Sequence, residues 1–276
     1  MDSRLIVFNV FFPTASRCLV GKEQLVDCIM TAMRKKGSIE YAGYLSDKEL
    51  RRDLLNRIGN GGIQKYRVLD SENRKQIREI VNSVVENCYR RLPLRNLPLH
   101  IFIFPWLPDE DEAVLFESIN AAAPYVSTIH LFIETKSFTK ASLEQTVAHE
   151  FNHLAFYDYH GKQQNYTLLE RFVIEGLAEV FREEVFGGKP APWSTALSQA
   201  DAVCAYNSLQ PVFSSKNSQL YHDVFFGSDR YKRWTGYSIG YWLVSAFRAQ
   251  NPQLAWKEIM QMEPADIAAV WKKKAR

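Results

Sequence analysis

The spacing of apolar and polar positions divides the chain into amphipathic helices, two short strands and a return to helices. Residues 22–36 carry Leu25, Ile29 and Met33 at helical spacing, with Gly37 placed to stop the helix. Ser46 and Glu49 form a capping box ahead of Leu50, Leu54, Leu55 and Ile58, and Asn60-Gly61-Gly62 ends that segment. The clearest periodicity lies in 72–92, where Ile77, Ile80, Val81, Val84, Val85, Cys88 and Leu92 make one apolar stripe. Leu99–Trp106 is short, apolar and flanked by Pro98 and Pro108, and it predicts a strand. Tyr125–Glu134, rich in β-branched and aromatic residues, predicts a second. Helical patterns return at 142–159, 167–186, 236–250 and 254–262. The stretch 188–232, rich in Ser, Asn, Gln and Pro, predicts irregular backbone that could border a site.

The N-terminal run Leu5–Phe12 has some character of a signal sequence. However, Asp2 offsets Arg4, Asn9 interrupts the run and Pro13 ends it, so a β-strand is the expected reading. Asp109-Glu110-Asp111-Glu112 predicts a solvated acidic turn. No run approaches the roughly 18 apolar residues of a membrane span. Together these elements predict an α+β protein, helix-rich with a small sheet. A helical part over residues 1–98 is expected to pack on the same unit as residues 99–276.

Composition adds three constraints. A chain of 276 residues, 46% hydrophobic and 24% charged, can bury a core without disulfide or metal staples. The net charge of +3 is unevenly spread, since residues 1–100 hold 18 Lys and Arg against 11 Asp and Glu. Many of these cations, such as Arg51, Arg52, Arg74, Lys75 and Arg78, fall on predicted helix faces, so a solvated surface is favoured over nucleic-acid binding. Cys18, Cys28, Cys88 and Cys204 form no CxxC pair, which fits reduced thiols and a cytoplasmic protein.

The chemistry concentrates in His149-Glu150-Phe151-Asn152-His153, an HExxH motif. Ser142 and Gln145 supply a capping box upstream, so the motif falls within a helix. His149 and His153, four residues apart, then share one face, where two imidazoles can bind one zinc beside Glu150. A catalytic zinc needs a third ligand and an open position. The next helix, capped by Thr167 and Glu170, carries Glu175 and Glu179 one turn apart. That spacing allows Glu175 to ligate while Glu179 accepts the second ring N–H of a histidine ligand. Gly176 is expected to let the two helices approach closely. His100, His130 and His160 are read as structural.

HEFNH followed by Ile174-Glu175-Gly176-Leu177-Ala178-Glu179 resembles the gluzincin metallopeptidases, in which a second helix donates a Glu to zinc. With Trp234-Thr235-Gly236-Tyr237-Ser238-Ile239-Gly240-Tyr241, the chain resembles more closely a bacterial family of predicted zinc-dependent proteases, over about residues 100–250. The resemblance implies a zincin-like fold with a small mixed sheet and a peptide substrate. His149, His153 and Glu175 would be zinc ligands, Glu150 the general base and Glu179 a residue orienting a ligand. Zinc would activate water, and Tyr237 would stabilise the oxyanion, with His222 and Tyr241 as alternatives. The strand 125–134 would offer an open edge to the peptide. The competing expectation is a non-catalytic interaction module stabilised by zinc.

Overall fold

The computed structural model describes residues 21–37, 40, 42–43, 46–59, 71–95, 98–108, 119–125, 127–134, 137–163 and 165–272. The run Leu5–Phe12, Cys18, the Asn60-Gly61-Gly62 break and the acidic turn 109–112 lie outside them. The chain forms two compact units, one of Met1–Arg90 with Leu94–Leu154 and one of Arg91–Pro93 with Ala155–Arg276.

The first unit holds α1 (Lys22–Lys35), α2 (Asp47–Arg57), α3 (Ser71–Arg91, all but its last residue), three strands and the start of α4 (Lys140–His160). Ser46 caps α2 by accepting from the Glu49 N–H at 3.3 Å. Leu25, Ile29, Met33, Leu50, Leu54 and Ile58 form one apolar core with Phe102, Phe104 and Phe132 of the sheet. Each such side chain contributes about 1.5–3 kcal/mol when fully buried.

The sheet comprises β1 (His100–Pro105), β2 (Ile119–Tyr125) and β3 (Thr128–Ile133) in the order β1-β3-β2. β1 runs parallel to β3, with His100 opposite Thr128. β2 runs antiparallel to it, with Ile119 opposite Ile133 and a register shift between Ala122 and Tyr125. β3 is therefore the central strand, and the open edge expected along 125–134 is not there. The edges belong to β1 and to β2, and the sequence did not announce β2. All six residues of β1 and of β3 are buried. At the sheet's centre His130 is fully buried, its ring edge-on to Phe102, Phe104 and Phe132 at 5.5, 5.1 and 6.4 Å.

α4 starts before its expected cap. Thr139 Oγ1 accepts from the Ser142 N–H at 3.0 Å, and Ser142 Oγ accepts from the Thr139 N–H at 3.0 Å. Ser142 thus fills the third helical position and Thr139 takes the capping role, because its hydroxyl claims the same kind of unpaired N–H one turn earlier.

The second unit holds α5 (Leu168–Phe186), α6 (Gln199–Leu209), α7 (Ser218–Phe226), α8 (Thr235–Gln250), α9 (Trp256–Ile259) and α10 (Pro264–Lys272). The Thr167–Glu170 capping box is present. Much of the stretch expected to be irregular is helical instead. Ser198 caps α6, accepting from the Asp201 N–H at 3.2 Å, and Asn217 caps α7, accepting from Gln219 and Leu220 at 2.8 and 3.0 Å. α5 and α8 cross where a Cβ on Gly176 would fall on the Gly240 carbonyl oxygen and one on Gly240 on that of Phe172. Gly176 therefore opens α5 to α8, rather than serving the helix pair for which it was expected. Among the described residues, no helix is long and apolar enough to cross a membrane.

Candidate functional site

The site's first part is built on α4. Val147, Ala148, Phe151, Leu154 and Ala155 are fully buried, which fixes the helix's rotation about its axis. His149, Glu150 and His153 then come together, with one potential ligand atom from each lying within 4.8 Å of the others. The two imidazole rings stand 4.6 Å apart at 88°. Glu150 and His153 are buried and His149 half-buried. Two imidazoles one turn apart on one helix face are donors that zinc takes, so these residues fit the ion, with Glu150 beside them.

The other expected residues belong to the second unit. Glu175 is half-buried in the middle of α5. Glu179, one turn on, is fully buried. It accepts from Arg182 Nε at 2.8 Å, Ser194 Oγ at 2.7 Å and Trp193 Nε1 at 2.9 Å. This network ties the segment after α5 to the helix, and Ser238 of α8 reinforces it. The Ser238 hydroxyl accepts from the Leu197 N–H and donates to the Trp193 carbonyl, both at 3.1 Å. A carboxylate offers about four acceptor positions, so three donors do not exhaust Glu179.

Tyr237 sits in the first turn of α8. The residue before that helix, Trp234, has φ 69°, a left-handed conformation that costs a bulky residue about 1–2 kcal/mol. Two bonds hold it there. Its N–H donates to the Phe225 carbonyl at 3.0 Å, and its carbonyl accepts from the Ser238 N–H at 3.0 Å. The turn joins the end of α7 to the start of α8 and seats the Tyr237 ring edge-on to Phe225 at 5.0 Å. The ring of Tyr221 on α7 packs on the same Phe225, at 4.6 Å. Burial, with the nearby Glu175 carboxylate adding to it, pushes the Tyr221 hydroxyl up to about 12. Glu175, Tyr221 and Tyr237 thus form one neighbourhood. Sequence reasoning missed Tyr221, and its only signal was an aromatic inside a stretch read as irregular.

The alternatives to Tyr237 are placed differently. His222 is exposed, with its ring 5.3 Å from Phe226. The Tyr241 hydroxyl donates to Glu183 Oε2 at 3.2 Å. Of the histidines read as structural, His160 donates from Nε2 to the Met260 carbonyl at 2.8 Å. His100 is buried, and that burial lowers its pKa.

No solved structure matches the chain. An uncharacterized protein of Bacillus subtilis, YjfC, is 28% identical over 137 residues, a match spanning 45% of this chain and 45% of that protein. Residues 77–269, which include every candidate residue above, match the family described as predicted Zn-dependent protease (DUF2268), and the chain belongs to that family.

Proposed function

We propose that the chain is a zinc-dependent peptidase of the gluzincin type with a zincin-like fold. The carrying observation is the convergence of His149, Glu150 and His153 on one face of α4. His149, His153 and Glu175 would hold the ion, and Glu179 would orient a histidine ligand through a remaining acceptor position. Bound zinc lowers the pKa of water and polarises a carbonyl.

The chain's own residues do the rest. Glu150 takes a proton from the attacking water and delivers it to the departing amine. Tyr237 donates a hydrogen bond to the substrate oxygen as its negative charge develops. The peptide lies extended along the outer edge of β2, which has no strand partner among the described residues.

Metal analysis joined to a peptide-library digest tests this reading. Wild type should hold about one zinc per chain and cleave peptides, and a chelator should abolish cleavage. Glu150→Gln should keep the metal and lose about 10²–10⁴-fold in kcat. Unchanged turnover in that variant removes Glu150 from the mechanism. Zinc without any cleavage by wild type would instead support a non-catalytic zinc-stabilised module.

A further inference from the structure

Phe226 ends α7 and is the most exposed large apolar side chain among the described residues, at 44%. Its neighbour Phe225 is fully buried, which turns Phe226 outward. The rings of Tyr221, His222 and Tyr237 lie 5.9, 5.3 and 6.3 Å from that of Phe226, so four rings make one aromatic patch. A patch of this kind differs from a single exposed apolar residue, which needs no explanation.

The turn that follows carries charge. In Ser228-Asp229-Arg230-Tyr231-Lys232-Arg233 the cations and Asp229 are all exposed. The turn is closed on itself: the Ser228 N–H donates to the Tyr231 carbonyl at 3.0 Å, and Thr235 Oγ1 donates to the Lys232 carbonyl at 2.8 Å. Gly227, at φ 97°, lets it close, since a Cβ there would come within 3.0 Å of the Arg233 Cα. Arg233 is thus held against the residue that follows Phe226. Elsewhere in the second unit Arg182 pairs with Glu179 and Arg248 with Glu184. Among the described residues, Arg230, Lys232 and Arg233 have no carboxylate partner. The acid of α7, Asp223, accepts from Gln219 instead, at 2.8 Å. Arg230 and Arg233 stack over Tyr231 and Trp234 at 5.6 and 4.7 Å, which steadies each guanidinium and leaves N–H groups at its edge free to donate.

Three cations without partners, next to an exposed aromatic patch, suit a ligand that brings carboxylates together with a large apolar side chain. We propose that Phe226, Arg230, Lys232 and Arg233 form a recognition surface for peptide segments in which a large apolar residue is flanked by acidic ones. The proposal rests on the peptidase reading, which makes such a segment part of a substrate. Ring contact with Tyr237 links the two, and it favours a peptide over an anionic membrane as the occupant. Phe226 covers the apolar side chain, and the cations set the preference in charge.

The test uses the full chain and short Gly/Ser-based peptides labelled with a neutral dye. One carries a central Phe flanked by Asp-Asp on each side, a second has Lys-Lys in those places and a third Ser-Ser. A fourth replaces the Phe of the first by Ser. By fluorescence anisotropy, wild type should bind the acidic Phe peptide about tenfold more tightly than the basic one, which two or three exposed ion pairs together supply. The preference should shrink at high salt. Changing Arg230→Gln, Lys232→Gln and Arg233→Gln together should abolish it and leave binding of the Ser-Ser peptide unchanged. Phe226→Ser should instead abolish the preference for Phe over Ser at the centre. Each readout is a ratio between peptides on one protein, so a loss of folded protein does not imitate it. A charge preference that survives the triple variant overturns the proposal. So does binding to phosphatidylserine vesicles, lost in the triple variant, when the peptides show no preference. Peptides bound in the expected order while a peptide-library digest shows no cleavage would sink the peptidase reading and leave the surface standing. Cleavage without the preference would do the reverse.

Discussion

Asn152 and Glu179 are both fully buried, one in each unit, and their surroundings treat them in opposite ways. Glu179 meets three donors from Arg182, Trp193 and Ser194. Among the described residues, neither the Oδ1 nor the Nδ2 of Asn152 has a hydrogen-bond partner. A buried charge is tolerated only when paired and hydrogen-bonded, and the second unit has built a loop and part of a helix around one. The neutral amide carries a smaller desolvation cost, and the first unit bears it. That cost falls between Glu150 and His153, where local stability yields to the placement of reactive side chains. The second unit therefore encloses its buried polar group in donors, and the first leaves one without partners.

The largest effect tests the enclosed group. Glu179→Ala leaves Arg182 buried without its carboxylate and should cost about 3–5 kcal/mol, read as a lower urea midpoint. Adding Arg182→Met should recover part of that loss, because the orphaned charge goes with it. A single variant of near wild-type stability would show that the network does not hold the second unit together. On the other side, Asn152→Leu should raise stability by about 1 kcal/mol, since an unsatisfied amide is exchanged for an apolar group of similar volume. A loss of stability there would mean that Asn152 has a partner after all, and the contrast would close.

How much of this was legible beforehand differs between the units. In the first, helix periodicity and the Ser46 cap announce α1 to α3, and the i, i+4 histidines announce the convergence on α4. β2 was hidden because Ile119-Asn120-Ala121-Ala122-Ala123-Pro124-Tyr125 has little β-propensity; pairing with β3 makes it a strand. That pairing also moved the free edge, which no local pattern reports. In the second unit α5 was plain from its capping box. α6 and α7 were not, since polar composition masked the caps at Ser198 and Asn217 that were present in the sequence. Tyr221 lies beyond any motif because the Arg171 guanidinium stacked over its ring comes from 50 residues away in the chain. The spacing of Glu179 suggested a link to a histidine, whereas its neighbours Trp193 and Ser194 come from a loop whose course only the fold determines.

The smallest effect concerns Glu183, one turn past Glu179 on α5. Its Oε2 accepts from Tyr241, and among the described residues its buried Oε1 has no hydrogen-bond partner. Burial raises its pKa, the nearby Glu179 charge adds to this, and the Tyr241 hydrogen bond and Arg182 oppose it without cancelling it. A carboxyl whose folded pKa lies above its unfolded value binds its proton more tightly in the folded state. The resulting stability is complete below the ordinary value of 4.5 and is lost as pH rises through the raised folded value. At pH 8 the wild-type carboxylate is charged and partly desolvated, whereas Glu183→Gln stays neutral and can still accept from Tyr241. The variant should therefore melt at a higher temperature than wild type at pH 8, and the difference should shrink as pH falls toward 4.5. Thermal midpoints of the two proteins across that range measure it. A difference that does not vary with pH would mean that Glu183 is as well satisfied as Glu179.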